Sequence, residues 1–174
     1  MVRFFRIVAI VVAVLFLTLL GLRTWTKSKS PVDHIEYNQD GVSLTITYCQ
    51  PYKKGRVIFG GILPYGKVWR TGANEATIIE AGQDLQVAGQ TLKAGKYTLW
   101  TVPGETAWDV IFNAQTGQWG TMYDSTQNVL RVQVPAAATQ EMTEQFVMKV
   151  QPADGGADLT LKWENTLVTV PFRK

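Results

Sequence analysis

The sequence predicts an all-β fold, an antiparallel β-sandwich of eight or nine short strands behind one N-terminal membrane-anchor helix. Three observations carry that expectation. Apolar and polar residues alternate with period two in short runs between Val42 and Phe172, the pattern of strands that turn one face to a core. Turn residues such as Gln50-Pro51, Pro103-Gly104 and Asp154-Gly155-Gly156 bound those runs at fairly regular spacing, as they do in sandwiches. Ahead of all of them, Ile7 to Leu22 runs apolar and uncharged.

That apolar run, with Arg3 and Arg6 before it, reaches roughly 24 Å as a helix, slightly short of the ~30 Å hydrocarbon core. Phe4 and Phe5 at one end and Trp25 at the other extend it. Residues 1–23 therefore read as a transmembrane signal anchor that enters the membrane through residues 4–22. No small-x-small pattern directly follows the run, and Ser28-Lys29-Ser30 is too distant and too charged to serve, so an uncleaved anchor is expected. Basic residues flank the run on both sides, which leaves charge counting tied. Short N-terminal tails commonly stay inside while the larger domain is exported, so the body is expected on the extracytoplasmic, periplasmic side of the cytoplasmic membrane. Residues 24–34 read as a polar tether broken by Pro31, and 35–174 as the sandwich domain.

From Val42 to Cys49 the alternation describes a first half-buried strand, ended by Gln50-Pro51. Ala76 to Ala81 follows, then a small hairpin of Leu85-Gln86-Val87 and Gln90-Thr91-Leu92 about Ala88-Gly89. Lys96 to Val102 and Trp108 to Asn113 are stronger, the first closed by Pro103-Gly104 and the second by the polar segment 114–120. Leu130, Val132 and Val134 form the next strand, and Phe146, Met148 and Val150 another. Leu159 to Trp163 and Val168 to Phe172 are expected to pair across an Asn165-Thr166 turn. No window offers a convincing soluble helix, with at most a turn of one at 136–142, and no internal repeat is evident.

Composition excludes several function classes. The 174 residues are 46% hydrophobic and 18% charged, enough for one packed domain rather than disorder. The formal charge of +3 comes from Arg3, Arg6, Arg23, Lys27 and Lys29; without those five, twelve basic residues face fourteen acidic ones, a balance of −2 in the body. That lacks the basic footprint of nucleic-acid binding. One cysteine, Cys49, permits neither an internal disulfide nor a thiolate metal cluster, and one histidine, His34, near the N-terminal end, permits no His-based triad. No cofactor or metal is expected.

The stretch from Gly55 to Glu80 stands apart. Its glycines (Gly55, Gly60, Gly61, Gly66, Gly72), Pro64 and ring-bearing Tyr65 and Trp69 interrupt the alternation, as in a functional loop or a structural plug. Within it Tyr65, Lys67, Trp69, Arg70, Asn74 and Glu75 form the candidate ligand- or partner-binding set. Arg70 offers a planar fork, Trp69 a stacking face and Asn74 a two-way hydrogen-bonding amide for a small polar ligand or an envelope protein. The bland alternative has Trp69 and Tyr65 plugging the sandwich end, Arg70 paired with Glu75 or Asp109, and Asn74 capping a turn. Carboxylate pairs such as Glu75 with Glu80, or Glu105 with Asp109, are the candidates for glycoside chemistry. No residue is assigned a catalytic role.

The strings Gly55-Arg56-x-Ile58-Phe59-Gly60-Gly61, Pro64 to Asn74, Gly95 to Gly104 and Trp108-x-Val110-Ile111-Phe112-Asn113 resemble, in order, a bacterial family catalogued as domain of unknown function family 2911 (DUF2911). The resemblance covers about residues 42–172 and implies an exported protein; it brings no established activity. At Gln50-Pro51 the sequence departs from the Arg-Pro pair more usual in the family. The leading expectation is a non-enzymatic, membrane-tethered binding module using Tyr65 to Glu75. The alternatives are an accessory subunit of a membrane complex and a carboxylate-dependent enzyme on envelope glycans.

Overall fold

The computed structural model describes residues 1–174, apart from the side chains of Val2 and Arg23. Its elements are α1 (Val2–Lys29), β1 (Val32–Gln39), β2 (Val42–Cys49), β3 (Thr77–Ala81), β4 (Leu85–Val87), β5 (Gln90–Leu92), β6 (Gly95–Val102), β7 (Ala107–Asn113), β8 (Asn128–Ala153) and β9 (Gly156–Arg173). All nine strands join one antiparallel sheet in the order β1-β2-β3-β6-β7-β8-β9-β4-β5, which is not closed into a barrel.

Strand β8 folds that sheet into two layers. Residues Asn128 to Pro135 pair with β7, while Ala136 to Ala153 pair with β9. The alternation in β2 shows why the layers close. Val42, Leu44, Ile46 and Tyr48 are buried, and Ser43, Thr45 and Thr47 are half-buried. The inward side chains meet Phe146, Met148, Leu159, Leu161, Val168, Val170 and Phe172 from the second layer in one continuous core. A smaller core lies on the outer face of β6, where Trp100 packs on Ile111 and Ala76 under Tyr123. The segment after β7 covers it, and Gln118 reaches Thr98 Oγ1 at 3.3 Å.

Three sequence expectations change. The strands are not all short, because β8 has 26 residues and β9 has 18. The expected turn at Asn165-Thr166 is absent; Glu164 adopts a left-handed φ of 54° and absorbs a bulge, so both halves of β9 stay paired with β8. The polar stretch 24–34 is not a tether either. Thr24 and Ser28 hydroxyls donate to carbonyls one turn back, the helix continues to Lys29, and Val32 already pairs with Cys49. Asp40 and Gly41, with φ of 53° and 70°, make the tight turn that returns β1 to β2.

Tyr48 fastens the two layers. Its hydroxyl donates to Asp33 Oδ2 at 3.0 Å and accepts from the Met148 N–H at 2.8 Å and Gln50 Nε2 at 2.9 Å. Burial pushes its pKa up to about 12, against the lowering effect of those two donors. The fold thus favours the neutral phenol, and this contribution is complete below the ordinary tyrosine range and lost as pH rises through about 12. Tyr48→Phe, which orphans the Met148 N–H, is expected to cost about 1–3 kcal/mol at neutral pH. Paired melting curves at neutral and strongly alkaline pH check both the loss and its narrowing.

Candidate functional site

The insert between β2 and β3 is held at both layers. Phe146 N–H donates to Pro51 O, Lys53 N–H to Glu144 O, and Lys54 N–H to Glu144 Oε1, tying its start to β8. Glu164 of β9 pairs with Lys53 at 3.1 Å and accepts from the Ile58 and Phe59 N–H groups. A tight turn over 57–63 follows, with Leu63 N–H donating to Ile58 O. Trp69 then pairs with Thr101 of β6 through two backbone hydrogen bonds of 2.7 and 2.9 Å. The sequence expected a fixed, ordered loop here, and this bonding supplies one.

Trp69 is committed to packing. It is 6% exposed, its indole N–H donates to Gly72 O at 3.0 Å, and its ring lies among Phe59, Trp108, Phe146 and Trp163 with centroids 5.0–6.2 Å away. Most of the stacking face envisaged for a ligand is therefore used by the core. Behind it, Thr71 holds a φ of 53°, uncommon for a β-branched residue. Its hydroxyl meets Thr101 Oγ1 at 3.1 Å and its carbonyl accepts from Thr77 Oγ1 at 2.8 Å, which fixes the turn that projects Arg70.

Arg70 is half-buried, and burial holds its pKa below the ordinary arginine range. Its Nη1 donates to Asn74 O at 3.1 Å, and its stem crosses Gly120 so closely that any side chain there would collide with it. Neither expected acid reaches it. Glu75 Oε1 lies 3.2 Å from Lys27 Nζ of α1, and Asp109 is paired with Arg131. Among the described residues no carboxylate stands within ion-pair distance of Arg70.

A cleft of about 310 Å³ opens over this guanidinium, lined by Arg56, Arg70, Asn74, Trp69, Trp163 and Ser30 among others, with no acidic residue in its wall. Arg56 enters it already tethered, Nε to Lys53 O at 2.9 Å and Nη2 to Tyr52 O at 2.6 Å. Two forks fixed by main-chain carbonyls thus share one hollow with uncompensated charge, the arrangement that suits a carboxylate or phosphate. Asn74, at φ 59°, receives Arg70 and the Gly120 N–H on its carbonyl, while its buried Nδ2 makes no hydrogen bond.

The remaining candidates lie around the cleft. Lys67 is exposed in a smaller hollow beside Arg70. Tyr65 is 42% exposed with its ring against Gly60, outside both walls. Glu75 faces α1, next to the buried Cys49 thiol, whose pKa burial raises. Of the carboxylates weighed for glycoside chemistry, Glu75, Glu80 and Asp109 are ion-paired with Lys27, Lys96 and Arg131. Arg56 was not in the candidate set, although the Gly55-Arg56 string carried part of the resemblance.

No curated protein and no solved structure matches this chain. A family model described as Protein of unknown function (DUF2911) matches residues 30–172, from the end of α1 through almost all of β9, and the chain belongs to that family.

Proposed function

We propose that this protein is a single-pass, membrane-anchored binding module with its sandwich on the extracytoplasmic side, and that the Arg56–Arg70 cleft takes the anionic group of a small ligand or of an envelope protein partner. The apolar helix α1 is long enough to cross a membrane, by length and composition, and its large apolar side chains, among those described, are exposed. The observation that carries the reading is the half-buried, carboxylate-free Arg70 beside a second tethered guanidinium. Desolvating a cation without an anion is unfavourable, and a bound anion would offset that cost. A purely structural Arg70 would be saturated by protein acceptors; here it makes one hydrogen bond.

Calorimetric titration of the full chain in a maltoside detergent with inorganic phosphate, and separately with malonate, tests this. Arg70→Ala is expected to weaken binding of the preferred anion by about tenfold or more, since a charge-assisted hydrogen bond contributes roughly 1.5–3 kcal/mol. Its stability should fall by about 1 kcal/mol, because only one internal bond is lost. Arg131→Ala, outside the cleft, should leave binding intact. Equal binding by Arg70→Ala and the unaltered chain would end the proposal.

A further inference from the structure

We infer that the loop end of the sandwich is seated in the headgroup layer of the membrane that α1 enters, a lipid contact additional to the helix and resting on the anchor reading of α1. The joint between helix and sandwich leaves little freedom. Only Ser30 and Pro31 separate α1 from β1; the Ser30 N–H caps Lys27 O, and Pro31 O accepts from the Gln50 N–H at 2.8 Å. Lys27 is ion-paired with Glu75. Leu19, Leu22 and Thr26 of α1 share a hollow with Glu75, Gly117 and Trp119.

That hollow sets the depth. Leu22 ends the apolar run, and Leu19 lies about one turn further in, roughly 4.5 Å along the axis. Trp119 therefore stands level with the end of the membrane-crossing stretch, where tryptophan is enriched in membrane proteins. It is 39% exposed, and Met122 beside it is 60% exposed. Gly120 links them to the neighbouring loop, since it lines one hollow with Ile62, Lys67 and Val68. Ile62 and Val68 are 47% and 42% exposed, as Tyr65 is at 42%. Exposed apolar side chains from two adjoining loops thus continue outward from the hollow that Trp119 shares with the membrane helix.

Charge agrees with that placement. Lys29 stacks over the exposed Trp25, while Lys67 and Arg70 stand among the apolar tips. Ser30 places the Arg56–Arg70 cleft further out, about 12 Å along the axis beyond Leu22. Such a mixture of basic and aromatic or aliphatic groups matches an anionic headgroup layer, with the cations at the phosphates and the apolar tips below. The other end of the molecule differs. Asp40 is exposed at the far end of β1, about 26 Å from its start.

The test uses the full chain with Cys49→Ala, reconstituted in vesicles of phosphatidylglycerol and phosphatidylcholine, with a nitroxide attached in turn through Met122→Cys, Val68→Cys and Asp40→Cys. Collision with oxygen is compared with collision with a water-soluble nickel chelate. The Met122 and Val68 labels are expected to favour oxygen several-fold more than the Asp40 label. Equal, water-like ratios at all three sites in a chain that resists alkaline carbonate extraction would overturn the seating while leaving the anchor. A chain released by carbonate would overturn both. Labels at Met122 and Val68 shielded from both reagents would mean that protein, not lipid, covers this end, and would overturn the lipid assignment.

Discussion

Trp69→Ala lowers the unfolding free energy by about 3–5 kcal/mol, the range for removing a large aromatic side chain from a core. The indole fills the space enclosed by Phe59, Trp108, Phe146 and Trp163, residues drawn from the insert, β7, β8 and β9. No single neighbour can collapse into the resulting cavity, because each is itself held by a strand or by the Glu164 contacts. The hydrogen bond from Nε1 to Gly72 O is lost as well. Trp69→Phe, which keeps part of the volume but not the donor, should cost less. Chemical denaturation of the three proteins in detergent checks the order, and an unchanged midpoint for Trp69→Ala would show that the insert is not part of the cooperative fold.

Glu164→Ala is expected to cost about 2–4 kcal/mol by a different route. Its carboxylate is about four-fifths covered, as is its Lys53 partner, and it also faces the Ile58 and Phe59 N–H groups at 3.3 and 3.5 Å. Truncation strands a largely desolvated ammonium and two main-chain donors, which is worse than never having had the pair. Removing both charges with Glu164→Ala and Lys53→Met should therefore recover part of the loss. Glu164→Gln, which keeps an acceptor, should fall between. A double-mutant cycle reads the coupling directly, and strict additivity would place the tie between insert and β9 elsewhere.

The period-two runs were legible because sheet burial is written residue by residue: Val42 to Tyr48 alternates in the sequence as it does in the core. Strand β1 was missed although Ile35 and Tyr37 alternate ahead of Asp40-Gly41, a strong hairpin signal, because the charges and proline nearby resembled a linker. The continuity of β8 and β9 was hidden for another reason. Pro135 and Asn165-Thr166 look like stops, yet pairing along most of both strands outweighs them, and a bulge at Glu164 absorbs the mismatch. At the site, nearness in sequence suggested Glu75 as the partner of Arg70. The left-handed turns at Thr71 and Asn74 send the two side chains apart, Arg70 into the cleft and Glu75 toward α1. Arg56 joins Arg70 only through the tertiary path of the insert, which no local pattern encodes.

The proposed anion site of Arg70 and Arg56 can be followed at the guanidinium itself. In the nitrogen-labelled full chain in a phosphate-free maltoside, the Arg70 Nε–Hε resonance, identified by its disappearance in Arg70→Lys, is followed as inorganic phosphate or malonate is added. A saturable shift of the Arg70 resonance is expected, accompanied by Arg56, while that of Arg131, paired with Asp109, stays in place. An Arg70 resonance that stays fixed with both anions, or that drifts with Arg131 as ionic strength rises, would contradict it.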